Sequence, residues 1–150
     1  MVRINLDTMN IEIVKHLEDG RKPFKAIAEE MSVTENTIRA RVQKMIKTGV
    51  LKIVGQVNPD TIENHQVVIV GVKVGTMDLQ KKGEEFSMLK GVVSVGVVTG
   101  RYDLLLTVML NNEFELLDFF REEMAKIEDV KSTETFVLFK NFGWRIPYVL

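Results

Sequence analysis

The apolar residues of this 150-residue chain change their spacing once, near residue 50, and that change constrains the fold more than any other feature. Before it, apolar positions recur every three or four residues, the period of helices with one buried side; after it come short β-branched runs separated by turn residues. Asp7 suits an N-cap with Leu6 just outside it, and Ile11, Val14 and Leu17 follow as a stripe that stops at Asp19-Gly20. Pro23 suits the first turn of a second helix, whose Phe24, Ile27, Ala28 and Met31 fall at i, i+3, i+4 and i+7. After Ser32-Val33, Thr34 can cap a third helix, in which Ile38, Val42, Met45 and Ile46 form the buried stripe and Gly49 is the stop.

Beyond residue 50, Leu51 to Val57 reads as a strand, followed by a break at Asn58-Pro59-Asp60. Val67 to Val74 then reads as a strand, Asp78 to Leu89 as a helix, Val92 to Thr99 with Asp103 to Leu110 as a hairpin, Glu113 to Ile127 as a helix and Val130 to Phe139 as a strand. That order, βαββαβ, predicts a ferredoxin-like antiparallel sheet with both helices on one face. The expected fold class is therefore α+β. Residues 1–50 would form a three-helix, winged-type helix-turn-helix unit, 51–64 a linker with a strand, and 65–150 the ferredoxin-like module with its tail. The tail, with Phe142, Trp144 and Tyr148, is too apolar for a disordered end and is expected to pack.

Composition narrows the function classes. The longest uncharged runs, 65–72, 91–100 and 104–112, fall short of the roughly 20 apolar residues that a membrane span requires. The first residues lack a basic head followed by an apolar run, so a cytoplasmic protein without a membrane partner is expected. No cysteine is present, which removes disulfides, thiol catalysis and thiolate metal sites together. His16 and His65, on a helix and at a strand start, do not make a metal cluster, and Ser94 lacks the glycine that a nucleophile elbow needs. No cofactor, metal site or catalytic residue is expected. The total charge is −1, but residues 1–55 hold 10 Lys/Arg against 7 Asp/Glu, and the remainder 10 against 14. The N-terminal part is the basic one.

Where those basic residues lie decides whether the excess has meaning. With Thr34 at zero and about 100° per residue, the apolar stripe of the third helix centres near 65°, whereas Asn36, Thr37, Ala40, Gln43, Lys44 and Lys47 spread around about 245°. Two short helices joined by Met31-Ser32-Val33 have the layout of a helix-turn-helix, whose second helix enters the major groove of double-stranded DNA. Asn36 can then donate and accept at a base edge, Thr37 and Ala40 can touch a thymine methyl, and Gln43 can pair with adenine. Arg39, Arg41, Lys44 and Lys47 suit phosphates. A polar helix face with four cations is ordinarily only solvated. The three-helix context, the small Ala40 at the centre of the face and the strand expected after Gly49 favour DNA.

Several segments together resemble one family. Leu6-Asp7 opening the first helix, Arg41-Val42 with Met45, Gly49-Val50-Leu51, Asn58-Pro59, and the hairpin Thr99-Gly100-Arg101-Tyr102-Asp103-Leu104, followed by Val130 with Thr133 and Thr135, are similar in order and spacing to the Lrp/AsnC, or feast/famine, transcription regulators. The resemblance implies a DNA-binding regulator whose α/β domain binds a small effector, an amino acid, and builds the oligomer. It also implies that the hairpin lies where two dimers meet and contacts the effector.

Read alone, Gly100 serves a turn and Asp103 is a turn residue with no ligand. With the resemblance, Asp103 would accept from an α-ammonium group, Arg101 would pair a carboxylate, and main-chain groups of Thr99 and Gly100 would complete the fit. Thr133 and Thr135 are weaker candidates, and Tyr102 is either packing or contact. Phe136 to Phe139 and Leu104 to Leu106 put large apolar side chains on both sides of a sheet that has helices on one side only. The leftover face is expected to pair in a symmetric homodimer, which would present two recognition helices to a pseudo-palindromic operator. Higher assembly is implied by the resemblance alone. Two other readings stand beside this one. The scaffold also resembles the siroheme decarboxylases, but those enzymes carry a histidine in the hairpin region, where this chain has Gly100 to Asp103. A ligand-sensing module that no longer binds DNA would show a damaged recognition helix.

Overall fold

A computed structural model describes residues 6–150, which divide into two compact units between Val54 and Gly55. The first holds α1 (Thr8–His16), α2 (Phe24–Glu30) and α3 (Glu35–Lys47). The Asp7 carboxylate caps α1 by accepting from the Asn10 N–H at 2.8 Å, and the Thr34 hydroxyl caps α3 by accepting from that of Thr37 at 3.2 Å. Pro23 stands one residue earlier than expected, as the extended N-cap of α2. Between α2 and α3, Ser32 takes a left-handed conformation at φ 54, which lets Val33 N–H reach the Ala28 carbonyl at 2.9 Å.

Ile13, Ile27, Ala28, Ile38, Val42 and Met45 are the buried core of this unit, with Leu6, Met9 and Leu17 packed against it. Three expected core residues are therefore displaced. Ile11 and Val14 are exposed, because α1 turns its 9–13–17 stripe inward instead, and Ile46, beside the buried Met45, is 45% exposed. The strand expected over Leu51 to Val57 also shrinks. Leu51 packs on the three-helix core and donates its N–H to the Met45 carbonyl at 3.1 Å, which ties it to the end of α3. Only β1 (Gln56–Val57) is a strand, and no strand stands within residues 6–54.

The second unit contains β2 (His65–Val74), α4 (Leu79–Ser87), β3 (Val92–Val97), β4 (Leu104–Asn111), α5 (Leu116–Asp118), β5 (Val130–Val137) and β6 (Ile146–Pro147). The main sheet has the order β3-β4-β2-β5 with every neighbour antiparallel, as a ferredoxin-like βαββαβ chain requires. The helix expected over Glu113 to Ile127 is instead three short pieces: α5, a π turn at Phe119–Glu123 and a 3-10 turn at Met124–Lys126. The wide turn points both Phe119 and the carboxylate of Glu123 inward, and Glu123 accepts from the Lys90 N–H at 3.1 Å and from the Lys126 ammonium at 2.7 Å.

Alternation along the strands separates two faces. Val68, Val70 and Val72 of β2, with Leu104, Leu106 and Val108 of β4, pack under Phe86, Phe114 and Phe119. Val67 and Met109, on the opposite face, are covered by the tail, where Ile146 is 2% exposed and Trp144 packs nearby. β6 pairs with β1, and the Asp60 carboxylate accepts from both the backbone and side-chain N–H groups of Asn141, at 2.9 and 2.6 Å. The tail thus packs through Trp144 and Ile146, while Phe142 stays exposed. The remainder of the open face carries Ile69, Leu105 and the 42% exposed Phe136, partly roofed by the ring of Tyr102.

Candidate nucleic-acid interface and effector site

On α3, Asn36, Arg39, Ala40, Gln43, Lys44 and Lys47 are exposed, whereas Thr37 and Arg41 are half-buried. The Thr37 hydroxyl is already hydrogen-bonded to that of Thr34 at 2.9 Å, so these two residues organise the helix start. The four cations are not equivalent. Arg39 donates to Glu35 at 2.6 Å and lies 5.5 Å from the Phe24 ring. Arg41 donates to Asp7 at 2.6 Å and to the Asn10 side-chain oxygen at 3.0 Å. Among the described residues, Lys44 and Lys47 have no carboxylate within ion-pair distance. The hydrogen bond from Arg41, then that from the Asn10 N–H, holds the Asp7 carboxyl below its ordinary range. A concavity of about 500 Å³ runs between α1 and α3 beside this pair, lined by Asp7, Asn10, Ala40, Arg41 and Lys44.

The β3–β4 hairpin has a second, differently built surface. Gly100 adopts φ 123 with open space around it, so conformation and not crowding favours glycine there. Asp103 is committed to the chain's own backbone. Its N–H donates to Val72 O at 2.9 Å, and its Oδ2 accepts from the Val74 N–H at 2.9 Å, so the side chain continues the β2–β4 ladder one step past Leu104. Its Oδ1 accepts from the Lys73 ammonium at 3.2 Å. These bonds, the backbone one foremost, lower the Asp103 carboxyl below its ordinary range.

Arg101 reaches sideways to Glu134 of β5, Nη2 to Oε2 3.0 Å. The Tyr102 ring lies on Gly71, where an added Cβ would come within 2.7 Å of it, and meets Phe136 edge-on at 6.1 Å. Its hydroxyl is buried and has no hydrogen-bond partner among the described residues. A concavity of about 310 Å³ is lined by Lys73, Arg101, Tyr102, Ser132, Thr133 and Glu134. Of the seven residues that the sequence picks for the effector, Arg101, Tyr102 and Thr133 line it; Thr99, Gly100, Asp103 and Thr135 do not. Lys73, Ser132 and Glu134 escape sequence reasoning, since only the pairing Gly71↔Glu134 brings β5 beside the hairpin.

Residues 6–46 match the AsnC-type helix-turn-helix domain and residues 67–143 the Lrp/AsnC ligand binding domain. An uncharacterized HTH-type transcriptional regulator of Pyrococcus furiosus is 33% identical over 141 residues, 93% of this chain and 95% of the relative. The E. coli AsnC structure aligns with TM-score 0.69 at 22% identity, covering 92% of this chain and 95% of that one. A Neisseria meningitidis transcriptional regulator solved as a complex with L-Met aligns with TM-score 0.71 at 17% identity, covering 97% and 96%. The two-unit architecture and these matches together place the chain in the Lrp/AsnC family of transcriptional regulators, with an AsnC-type helix-turn-helix domain followed by an Lrp/AsnC ligand-binding domain.

Proposed function

We propose that residues 1–50 bind a pseudo-palindromic double-stranded DNA operator, and that residues 65–150, joined through the 51–64 linker, build a homodimer and higher homo-oligomers whose state responds to an amino acid. The observation that carries the DNA reading is the exposed face of α3. Among the described residues, the Asn36 and Gln43 side chains make no hydrogen bond to the chain itself and Lys44 and Lys47 have no ion-pair partner, with Ala40 exposed between them. Base edges fall to Asn36, Thr37, Ala40 and Gln43; phosphates fall to Thr34, Arg39, Arg41, Lys44 and Lys47. The half-open apolar sheet face with Ile69, Leu105 and Phe136 supports pairing with a second copy. The reading places the protein in the cytoplasm, where the chromosome lies, and gives it no catalytic step.

The effector reading places an amino acid at the hairpin, Thr99 to Asp103, with Thr133 and Thr135 from β5. Its support is a small cavity lined by charges of both signs, Lys73 and Arg101 with Glu134, and the L-Met complex of the Neisseria meningitidis regulator of similar fold. Footprinting on the upstream region of the protein's own gene, without and with each of the twenty amino acids, tests both parts. Protection of two half-sites about one or more helical turns apart, altered by an amino acid, is the expected result. Absence of protected sequence, at low salt as well as high, overturns the DNA reading.

A further inference from the structure

We propose that Glu134, and not Asp103, receives the ammonium group of the effector, while Arg101 receives its carboxylate, and that the site therefore selects amino acids with uncharged side chains. This rests on the effector reading of the hairpin. The two acidic groups near the cavity differ in what they would give up. Asp103 Oδ2 holds the Val74 N–H at 2.9 Å, and drawing it away would leave a backbone donor at the sheet margin without a partner. Among the described residues, Glu134 holds only Arg101, at 3.0 Å, and Arg101 is 77% exposed. A pair so exposed to water contributes little to stability, so opening it costs little.

A zwitterion replaces that pair without leaving a charge unmatched. Its carboxylate takes the Arg101 guanidinium, its ammonium takes the Glu134 carboxylate, and Lys73 stays neutralised by Asp103 at 3.2 Å. Lys73 and Arg101 against Asp103 and Glu134 give the cavity and its margin no net charge, so a second ammonium or carboxylate on the ligand would find no unengaged counter-ion among these four groups. The floor it meets is the Tyr102 ring, with Phe136 beside it. The cavity volume, about 310 Å³, lies at the low end of small-molecule sites and suits a single amino acid.

The test uses the full chain. Each of the twenty amino acids is titrated calorimetrically into the wild type. The tightest binder and its des-amino carboxylic acid are then titrated into wild type, Glu134→Gln and Asp103→Asn, with circular dichroism to establish folding. The expected binder has an uncharged side chain. Glu134→Gln weakens it at least tenfold yet leaves the affinity for the des-amino acid undiminished or raises it, because that probe has no ammonium to lose and no longer has to displace Glu134 from Arg101, and a folded Asp103→Asn stays within threefold of wild type. Undiminished amino-acid binding by Glu134→Gln, or a best ligand that is lysine, arginine, aspartate or glutamate, overturns the assignment and leaves the effector reading standing. If none of the twenty binds the wild type, the effector reading falls and the assignment with it.

Discussion

Arg41 on α3 donates to the Asp7 carboxylate at 2.6 Å across 34 residues of sequence, so the residue that caps the first helix also anchors the third. Two functions of Asp7 can be separated by substitution. Asparagine keeps the cap and removes the charge, whereas alanine removes both. At neutral pH the thermal midpoint should fall in the order wild type, Asp7→Asn, Asp7→Ala. Asp7 is held below its ordinary value by Arg41 first and the Asn10 N–H second. Its contribution is therefore present above the unfolded-state value of about 4 and is lost as pH falls through the lowered folded value. The gap between wild type and Asp7→Asn should close over that acidic range. Equal midpoints for Asn and Ala at pH 7 would show that the cap contributes nothing.

Gly71 carries a second cross-chain relationship that a single methyl group would break. A Cβ there would lie 2.7 to 2.8 Å from three atoms of the Tyr102 ring, which Phe136 flanks on the side of β5. Gly71→Ala should cost about 1–3 kcal/mol by overpacking. In a Tyr102→Ala background the same change should cost much less, since the obstacle is gone. Urea denaturation of the four proteins measures the coupling. The same cost in both backgrounds would mean that the ring is not what excludes a side chain.

How far these relationships could be read in advance depended on sequence distance. The caps at Asp7 and Thr34 were legible because cap and helix lie within a few residues of each other. The βαββαβ order was legible from the alternation of β-branched runs and helical stretches. In α1, however, Met9, Ile11, Ile13, Val14 and Leu17 offer two apolar stripes, and the choice of Ile13 over Ile11 and Val14 is made by Ile27, Ile38 and Val42 of the other helices. The candidate effector cavity shows the same division. Arg101 and Tyr102 announce themselves in the hairpin, but Glu134 joins the lining of the cavity only through the register of β5 on β2. The bond that the Val74 N–H donates to the Asp103 side chain is likewise hidden in the sequence, because Val74 and Asp103 meet only through the pairing of β2 and β4.

The tail gives an optical handle on its own packing. Ile146 is 2% exposed against Val67 and Met109, and Trp144, in the same cluster, is the chain's single tryptophan. Ile146→Ala should cost about 2–5 kcal/mol and move the tryptophan emission toward that of a solvated indole at denaturant concentrations below the main transition. Phe142→Ala, at a side chain 90% exposed, should stay within about 0.5 kcal/mol of wild type. Equal effects from both changes would mean that β6 and its neighbours do not hold the tail against the sheet.

The unequal pairing of the cations on α3 predicts how DNA affinity should depend on salt. A lysine that gives up no ion pair neutralises one phosphate and releases its counterion, so each such contact adds about 0.9 to the slope of log K against log salt. Lys44 and Lys47 are of this kind among the described residues. Arg39 sits with Glu35 at 2.6 Å and Arg41 with Asp7 at 2.6 Å, and in each case the neighbouring carboxylate cancels much of the charge that a phosphate would meet. Lys47→Ala should flatten the slope by about 1 per protomer contact and weaken binding by a similar factor on every sequence, whereas Arg39→Ala should change it far less. Asn36→Ala, by contrast, should leave the slope alone and cost about 1–3 kcal/mol at one base pair of each half-site. Fluorescence anisotropy over a salt series, with the operator and a scrambled duplex, reads all three. A flattening by Arg39→Ala as large as that by Lys47→Ala would show that the Glu35 pair opens on DNA and that ion pairing in the free chain does not determine which cations bind phosphate.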